Sequence, residues 1–332
     1  MTRFNQFLVG GNGHKDTDSI FVISIIIPCF NAGNLLKEAV DSIRAQQGNF
    51  TILEIIIVDD HSTDPATLAV LDKCADVTSV KVMRNTRAKG PAGARNTGVS
   101  VARGNWLAFL DADDVWTVDS LAALVDAASA YPDVSVISGD FQWFDMTSGE
   151  IESNFFASRE LTARYFGPAY ALSRPIRLSR PYLDALFVAF CHSCSVLVNR
   201  DLFVEVGGFD ERLRYKEDHH LWFKLAQQSD FVLVPKSIFL YRRHESNMTN
   251  LKVAPFDYER KMLDLILSEQ PECGVADAIH RRYPLGVAEN AYWFRHENQF
   301  SRAIVECFRG LRSYPTSKDI WRQLLGAVLR YR

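Results

Sequence analysis

The sequence predicts an α/β protein whose central sheet is mainly parallel and flanked by helices, followed by a C-terminal helical extension. Nearly continuous β-branched runs such as "SIIIPCF" and "EIIIVDD" are typical of strands buried on both faces of a sheet. Segments with apolar residues at helical spacing alternate with these runs, a pattern that indicates βαβ units. We therefore expect a flexible tail at residues 1–20, an α/β domain at 21–249 and a helical region at 250–332.

Each element of the alternating part carries a local signal. The run "FVISIIIPCF" predicts a strand that ends at Pro28, and Asn31 is placed to cap the helix that follows. Pro65 stands in the first turn of the next predicted helix, where its missing N–H leaves no intrahelical bond unmade. The same alternation predicts strands at 53–60, 79–85, 106–114 and 134–144, and helices at 31–46, 65–75 and 117–132.

The later part of the chain is less regular. Between about residues 146 and 187 there are three prolines and five arginines, which we interpret as loops with short helices. A strand and a helix return within residues 193–213, a helix is predicted at 216–228, and an extended segment at 230–244. After about residue 250 only helical spacing is found.

Composition excludes several classes of protein. Hydrophobic residues make up 47% of the chain and charged residues 23%, the balance of a globular protein with a sizeable core. The net charge of −3 argues against a nucleic-acid partner, which requires a basic surface. No apolar run approaches the roughly 20 residues that span a bilayer. The polar start lacks the apolar core of a secretory signal, so we expect a cytoplasmic location, with contact at the inner face of a membrane left open.

The six cysteines are scattered, which predicts reduced thiols and not a disulfide framework. Cys191 and Cys194 in "CHSC" have the C-x-x-C spacing of metal and redox sites. However, no second pair stands at a distance suitable for a structural zinc, and the motif leads into the strand-like "SVLVN". We interpret the pair as two small residues of the core.

Polar residues follow three of the predicted strands. The segments "PCFN", "VDD" and "DADD" all stand at strand carboxyl ends, where parallel sheets bind their ligands. Although these segments are far apart in the sequence, strands of one parallel sheet bring their carboxyl ends to the same edge. The three segments are therefore expected to meet in one crevice.

The segment "DADD" places three carboxylates within four residues. Such a cluster repels itself and costs free energy when it is desolvated. Asp111 and Asp113 point to the same side if the backbone stays extended, and paired carboxylates suit Mg²⁺ or Mn²⁺. A solvated loop, or a helix N-cap formed by Asp114, is the alternative interpretation.

The glycine-rich segment "KGPAGARN" is a second candidate for ligand contact. Gly90 and Gly93 allow another group to approach the backbone closely, while Lys89 and Arg95 would serve as cations for a diphosphate. The segment lacks the G-K-[ST] ending of a P-loop and the G-x-G-x-x-G pattern of dinucleotide-binding proteins. It therefore indicates a phosphate-contacting loop of another type.

Five segments, in this order and spacing, resemble the inverting family 2 glycosyltransferases. They are "SIIIPCFN", "EIIIVDDHSTD", "GPAGARNTGVSVARGNWLAFLDADDVW", "VGGFDERL" and "KEDHHLWFKLA". The resemblance extends over about residues 24–244 and implies the GT-A fold, a single nucleotide-binding α/β domain. Two residues depart from the family pattern: Val118 stands where proline is frequent, and His61 stands where "DDGS" is commoner than "DDHS".

The resemblance implies roles for residues around a nucleotide-diphospho-sugar. Pro28, Phe30 and Asn31 would line the pocket for the base and ribose, and Asp59 or Asp60 would hydrogen-bond the base. The residues expected to border or hold the diphosphate and its Mn²⁺ or Mg²⁺ are Lys89, Gly90, Arg95, Asp111 and Asp113.

The resemblance also implies a catalytic pair. Asp218 in "KED" would be the general base and Glu217 its neighbour, although a carboxylate favoured at a helix N-terminus is the simpler interpretation of Asp218 alone. His244 stands where relatives often carry a basic residue near the leaving group. It would be a third metal ligand or a diphosphate contact, and an ordinary surface histidine is the alternative.

The last segment, "DIWRQLLGAVLRYR", is apolar along one helical face. An interfacial helix that brings the protein to a membrane is one interpretation, and packing against neighbouring helices is the one we favour. The apolar residues of this face are Ile320, Trp321, Leu324, Leu325, Val328 and Leu329.

The sequence as a whole predicts a metal-dependent inverting glycosyltransferase. UDP-sugars are the favoured donors, from their frequency in the family, and the acceptor would be a hydroxyl of a glycan or a lipid-linked molecule in cell-surface polysaccharide assembly. Two other functions stay open: a catalytically silent nucleotide- or sugar-binding module, and a Mg²⁺-dependent phosphohydrolase with an aspartate nucleophile.

Overall fold

The computed structural model describes residues 21–188, 190–245, 247 and 253–330. The tail predicted at residues 1–20 lies outside these residues, and so does the boundary predicted between residues 249 and 250. The strands are β1 (Phe21–Cys29), β2 (Phe50–Asp59), β3 (Val80–Arg84), β4 (Trp106–Phe109), β5 (Val115–Trp116), β6 (Val136–Asp145), β7 (Ile151–Asn154), β8 (Ile176–Leu178), β9 (Val196–Asn199) and β10 (Phe231–Arg243).

Helices cover the sheet and continue to the end of the described chain. In the α/β part they are α1 (Leu35–Arg44), α2 (Pro65–Ala75), α3 (Pro91–Val99), α4 (Ser120–Ala130), α5 (Phe155–Ser158), α6 (Glu160–Leu172), α7 (Tyr182–Ala185), α8 (Arg200–Glu205) and α9 (Glu217–Gln228). The C-terminal helices are α10 (Pro255–Ser268), α11 (Cys273–His296), α12 (Phe300–Ser313) and α13 (Lys318–Val328).

One mixed sheet forms the centre of the molecule. Its strands lie in the order β3-β2-β1-β4-β9-β6-β10-β5, with β7 beside β6 and β8 beside β10. The four neighbouring strands β3, β2, β1 and β4 are parallel to one another, and β6 is parallel to β10. Strand β9 runs antiparallel to both of its neighbours, β4 and β6. The reversed β9 therefore joins two parallel halves, and its start lies beside the end of β4.

The prediction that Pro28 ends the first strand is wrong, because β1 continues to Cys29 and Pro28 pairs with Val58 of β2. The ladder between β1 and β4 stops at the pair Ile26–Phe109. The missing N–H of proline falls beyond that ladder, where it leaves no sheet hydrogen bond unmade.

Asn31 does not cap α1, which was a further expectation. Its backbone is left-handed, with φ 50°, and α1 begins only at Leu35. The Asn31 side chain instead accepts hydrogen bonds from the backbone N–H groups of Thr63 and Asp64, at 2.8 and 3.0 Å. It thereby ties the end of β1 to the loop that follows β2.

The C-terminal helices form a second core that also includes residues of the α/β part. Leu186, Leu213 and Phe223 are buried in the same cluster as the inner residues of α10 to α13. In α13, Ile320 and Leu324 are buried, so part of the predicted apolar face packs against neighbouring helices. The rest of that face is exposed: Trp321, Leu325, Val328 and Leu329. Among helices in the described ranges, none is both long and apolar enough to cross a bilayer.

Candidate active site

The carboxyl ends of β1, β2 and β4 meet, as the sequence predicts. The Asp60 N–H donates to the Cys29 carbonyl at 2.7 Å, and the Leu110 N–H donates to the Ile26 carbonyl at 3.1 Å. The Asn31 N–H donates to the Ser62 hydroxyl at 3.0 Å. These bonds hold the segments "PCFN", "VDD" and "DADD" along one edge of the sheet.

Asp60 organises the loop that precedes α3. Its side chain is buried and accepts hydrogen bonds from Asn85 Nδ2 at 2.6 Å and from the Gly90 N–H at 2.8 Å. Asp59 accepts from the Ser62 N–H at 2.9 Å. Both carboxylates therefore hold backbone in place around the position where the base was expected.

Phe30 and Lys89 lie together at the rim of this edge. Phe30 is 49% exposed, and the Lys89 ammonium lies 4.6 Å from the centre of its ring. Gly90 has a φ of 124°, and a Cβ built on it meets no atom within 4 Å. The rim therefore offers an exposed aromatic ring, a cation and open space beside the glycine loop.

Arg95 lies deeper than a diphosphate contact would require. Its side chain is buried, and the guanidinium contacts Asp111 Oδ1 at 2.6 Å and Glu217 Oε1 at 3.1 Å. Burial opposes ionisation of Asp111, but the charges of Arg95 and His192 and the hydrogen bonds with Arg95 and Cys194 together outweigh it and lower the pKa of that carboxyl. Arg95 thus joins the "DADD" segment to the start of α9.

The "DADD" segment is a turn and not an extended strand, so the expectation of an extended D-x-D pair is wrong. The Asp114 N–H donates to the Asp111 carbonyl at 3.1 Å, directly after β4 ends. Asp113 Oδ2 lies 3.1 Å from His244 Nε2. Asp111 and Asp113 consequently have different partners, Arg95 and His244.

Asp114 is not an N-cap, contrary to the alternative interpretation of the segment. It is buried, and its Oδ1 accepts the Arg242 N–H of β10 at 2.9 Å. Burial, together with the charges of Asp113 and Asp111, raises the pKa of Asp114 well above its usual range. Asp114 thus fixes the turn to β10 through a buried hydrogen bond.

Groups at this turn are of the types that bind a hard divalent cation, since carboxylate oxygens and an imidazole nitrogen suit Mn²⁺ or Mg²⁺. Asp113 and His244 lie 3.1 Å apart, whereas Asp111 is paired with Arg95. Ligand atoms of Asp111, Asp114 and Cys194 lie within 4.8 Å of one another. Burial raises the pKa of the Cys194 thiol well above its usual range, and its soft sulfur suits such an ion less well than carboxylate oxygens do.

Glu217 and Asp218 occupy the first turn of α9, where the helix dipole favours carboxylates. Burial works against ionisation of Asp218, but the nearby His219 and Lys216 side chains lower its pKa, so it is a carboxylate at neutral pH. Burial, followed by the Asp218 charge, raises the pKa of Glu217 to about 7, with Arg95 acting in the opposite direction.

His192 was not identified from the sequence as a site residue. Burial lowers its pKa, while the charges of Asp111 and Asp218 oppose this effect. His192 Nδ1 accepts the Cys194 N–H at 3.2 Å, and Cys194 Sγ accepts the Asp111 N–H at 3.2 Å, so these bonds join His192 to the carboxylate turn. Cys191 and Cys194 are buried, as predicted. The antiparallel pairing of β9 with β4 brings "CHSC" to this edge, and the "SVLVN" run contains no signal for the direction of pairing.

Comparison with known proteins agrees with this arrangement. The chain is 27% identical over 234 residues to the uncharacterized glycosyltransferase RP339 of Rickettsia prowazekii, and the match covers 69% of this chain and 66% of that protein. It is 25% identical over 234 residues to the UDP-Glc:alpha-D-GlcNAc-diphosphoundecaprenol beta-1,3-glucosyltransferase WfgD of Escherichia coli, covering 70% of this chain and 81% of WfgD. The chain thus spans about two thirds of RP339.

A solved structure has the same fold. The crystal structure of S. aureus TarS 1–349 in complex with UDP-GlcNAc matches 92% of this chain and 79% of its own, with a TM-score of 0.55 and 20% identity. The sequence profile described as Glycosyl transferase family 2 matches residues 24–207. These residues include the ends of β1, β2 and β4 and the "CHSC" segment. The chain therefore belongs to glycosyl transferase family 2 and is a glycosyltransferase.

Proposed function

We propose that this chain transfers a sugar from a UDP-sugar to a hydroxyl of a glycan or lipid-linked acceptor, with inversion at the anomeric carbon. The observation that carries the proposal is the bridge made by Arg95, which contacts Asp111 at 2.6 Å and Glu217 at 3.1 Å. The bridge holds the carboxylate turn and the start of α9 together. The anomeric carbon of the donor and the base that deprotonates the acceptor hydroxyl would therefore lie close together.

The donor would lie along the strand ends. Phe30 offers a ring for the base, Pro28 and Asn31 border it, and Asp59 supplies a carboxylate. Lys89 and the glycine loop that Asp60 holds would face the diphosphate, with the ammonium near the phosphate oxygens. The residues of the exposed rim would thus contact the donor. Arg95 and Asp60 would not contact it but hold the neighbouring backbone and side chains in position.

Asp218 would act as the general base. Its carboxylate would accept the proton of the acceptor hydroxyl while the hydroxyl oxygen bonds to the anomeric carbon, and the bond from that carbon to the diphosphate oxygen breaks on the opposite face. Its lowered pKa keeps it unprotonated at neutral pH, as a base must be. Glu217, paired with Arg95, would position the first turn of α9 and not receive the proton.

Asp111, Asp113 and His244 would hold Mn²⁺ or Mg²⁺. When bound, such an ion supplies positive charge that stabilises the leaving diphosphate. The charges of Asp113 and Asp111 raise the pKa of Asp114 in addition to burial, and this repulsion supports the assignment, because a cation nearby would offset it. Asp113 Oδ2 lies 3.1 Å from His244 Nε2. Asp113 is therefore the residue to replace first.

Titration calorimetry with UDP, GDP and dTDP, each with MnCl₂ or with EDTA, tests the donor assignment. We expect UDP to bind with Mn²⁺, and Asp113→Ala to abolish this binding. Asp218→Asn should leave UDP affinity unchanged while lowering transfer by about 10²–10⁴-fold. UDP binding without transfer to any acceptor would favour the silent module, and a phosphorylated aspartate trapped from a phosphate ester would favour the phosphohydrolase.

The acceptor is proposed from the relative WfgD, whose name describes transfer to a diphosphoundecaprenol-linked sugar. A cytoplasmic location at the inner face of a membrane would bring the chain to such an acceptor. The outer face of α13 supports this, because Trp321, Leu325 and Val328 are exposed and Arg322 lies beside them in the sequence.

Flotation with vesicles of phosphatidylethanolamine and phosphatidylglycerol tests this contact. We expect the full chain to float, and the variant Trp321→Ser/Leu325→Ser to remain in the lower fraction. Leu172→Ser, which alters an equally exposed apolar residue of α6, is the matched control and should float. A full chain that stays in solution would exclude the contact.

A further inference from the structure

Aromatic side chains line one face of the sheet next to the candidate active site. Strands β6 and β10 run parallel, and the register pairs Trp143 with Tyr241 and Phe141 with Phe239. Paired residues of parallel strands point to the same face, so these four rings lie side by side. Ring centres are 4.6 Å apart for Trp143 and Tyr241 and 4.9 Å apart for Phe141 and Phe239.

His192 extends this arrangement toward the catalytic residues. Its ring lies 5.8 Å from that of Tyr241 and 4.9 Å from that of Phe239. We call His192, Tyr241 and Trp143 the aromatic row. All three are partly exposed, whereas Phe141 and Phe239 behind them are buried and hold the row rigidly.

One end of the aromatic row lies at the candidate active site. The Asp111 N–H donates to Cys194 Sγ at 3.2 Å, which ties the segment that carries His192 to the carboxylate turn. His192 Nδ1 accepts the Cys194 N–H at 3.2 Å. In the neutral ring the proton is therefore on Nε2, which makes this nitrogen a hydrogen-bond donor.

The other end of the aromatic row is polar. The Arg243 guanidinium lies 4.3 Å from the centre of the Trp143 ring and is also paired with Glu152. The row thus combines partly exposed aromatic surface with hydrogen-bonding groups at both ends. A pyranose has the matching chemistry, because its C–H groups form an apolar face and its hydroxyls form a polar rim.

We propose that the aromatic row binds the saccharide of the acceptor and positions its hydroxyl toward Asp218. This inference rests on the proposed function, because it assumes that Asp218 receives the proton. Tyr241 and the face of Trp143 opposite the Arg243 guanidinium would stack against the sugar, and His192 would hydrogen-bond it beside the base. The rim with Phe30 and Lys89 is left to the donor, so the two substrates would approach from different strands of the sheet.

Saturation-transfer NMR with methyl glycosides tests the proposal in the presence of UDP and MnCl₂. The probes are methyl α-D-glucopyranoside, methyl α-D-mannopyranoside and methyl N-acetyl-α-D-glucosaminide. We expect transfer to the ring protons of at least one probe, and at least a fivefold loss of that signal in Trp143→Leu and Tyr241→Leu. Trp293→Leu, which replaces a partly buried tryptophan of α11, should retain the signal.

Two controls separate this proposal from folding and from the proposed function. Circular dichroism melting establishes that each variant is folded, and His192→Asn provides a small polar replacement should the leucine variants unfold. UDP affinity should change less than twofold in all variants. Failure of the wild type to bind UDP would contradict the donor assignment and not the proposal for the aromatic row. The absence of saturation transfer to all three probes, or an unchanged signal in folded Trp143→Leu and Tyr241→Leu, would overturn the proposal for the aromatic row.

Discussion

Arg95 shows how one cation can maintain a cluster of buried acids. It contacts Asp111 and Glu217, and its own side chain is only 5% exposed. Removing charges from water costs several kcal/mol per ion, so the arrangement is stable only while every member is paired. Two segments 106 residues apart in the chain are held in position by this one guanidinium.

Replacing Arg95 by methionine should destabilise the protein by about 3–5 kcal/mol, because two buried carboxylates lose their counter-charge. The free energy of unfolding from urea titration measures this. Lys37→Met is the matched control, since Lys37 and Asp41 are both exposed in their pair and the change should leave stability nearly unaltered. Equal losses in the two variants would show that the buried bridge contributes nothing beyond a surface pair.

His220 should make stability depend on pH. It is buried, neither ring nitrogen has a hydrogen-bond partner among the described residues, and burial lowers its pKa from 6.5 to about 4. His220 is therefore protonated near pH 6.5 in the unfolded chain but only near pH 4 in the native state. Its contribution to the free energy of unfolding is complete above pH 6.5 and decreases between pH 6.5 and about 4, by up to about 1.4 kcal/mol per pH unit.

His220→Phe should remove this contribution, so its free energy of unfolding should fall less steeply than that of the wild type between pH 6.5 and 5. Urea titrations at several pH values measure the two slopes. His219 retains part of the dependence, because burial also lowers its pKa to about 4. Identical slopes would mean that His220 is protonated in the native state as easily as in the unfolded one.

The glycine loop and α3 act together as one element. Gly93 lies in the first turn of α3, and a Cβ at this position would stand 1.9 Å from the Ala88 carbonyl oxygen. Backbone cannot yield as a side chain can, so the loop must move. The sequence indicated a close approach of backbone here, and the structure shows that the approaching group is the chain's own carbonyl.

Gly93→Ala should therefore lower both stability and UDP affinity, since it displaces the loop that Asp60 holds through the Gly90 N–H. Thermal melting and calorimetry measure the two effects. Gly274→Ala in α11 is the control: a Cβ there meets no atom within 4 Å, and the change should stabilise the helix by up to about 1 kcal/mol. A Gly93→Ala variant that melts and binds like the control would contradict the close approach.

The strands and helices differ in how well they could be predicted. The range of α2, Pro65–Ala75, was predicted to the residue, because Asp64, Pro65 and the apolar spacing all agree. The "DADD" segment was expected to be extended, but the hydrogen bond between Asp114 and Asp111 makes it a turn. Periodicity describes the strand before this segment and contains no information about the turn that follows.

The whole molecule is held together across its two cores. Phe223 of α9 is buried in the same cluster as Phe256 and Met262 of α10, although α9 also carries the proposed base at its start. Packing of the C-terminal helices thus fixes the outer side of the helix that positions Asp218. Loss of these contacts should therefore alter the position of Asp218 and also lower the free energy of unfolding.

Phe223→Ala should destabilise the protein by about 3–5 kcal/mol, the usual effect of emptying a buried phenylalanine site. Urea unfolding followed separately by tryptophan fluorescence and circular dichroism measures it and shows whether the two cores unfold together. Phe308→Ala, at an exposed position of α12, is the control and should change stability little. A Phe223→Ala variant as stable as this control would mean that the two cores are independent.

The residue pattern alone identified the alternating elements, the carboxylates at the strand ends and the acids that begin α9. It could do so because burial on both faces selects β-branched runs, and because helix ends have their own polar preferences. The folded arrangement decided the partners: Arg95 between Asp111 and Glu217, and His192 joined to the carboxylate turn through Cys194. The place of His192 depends on the reversed β9, and an apolar strand packs equally well in either direction, so its own residues do not specify its neighbours.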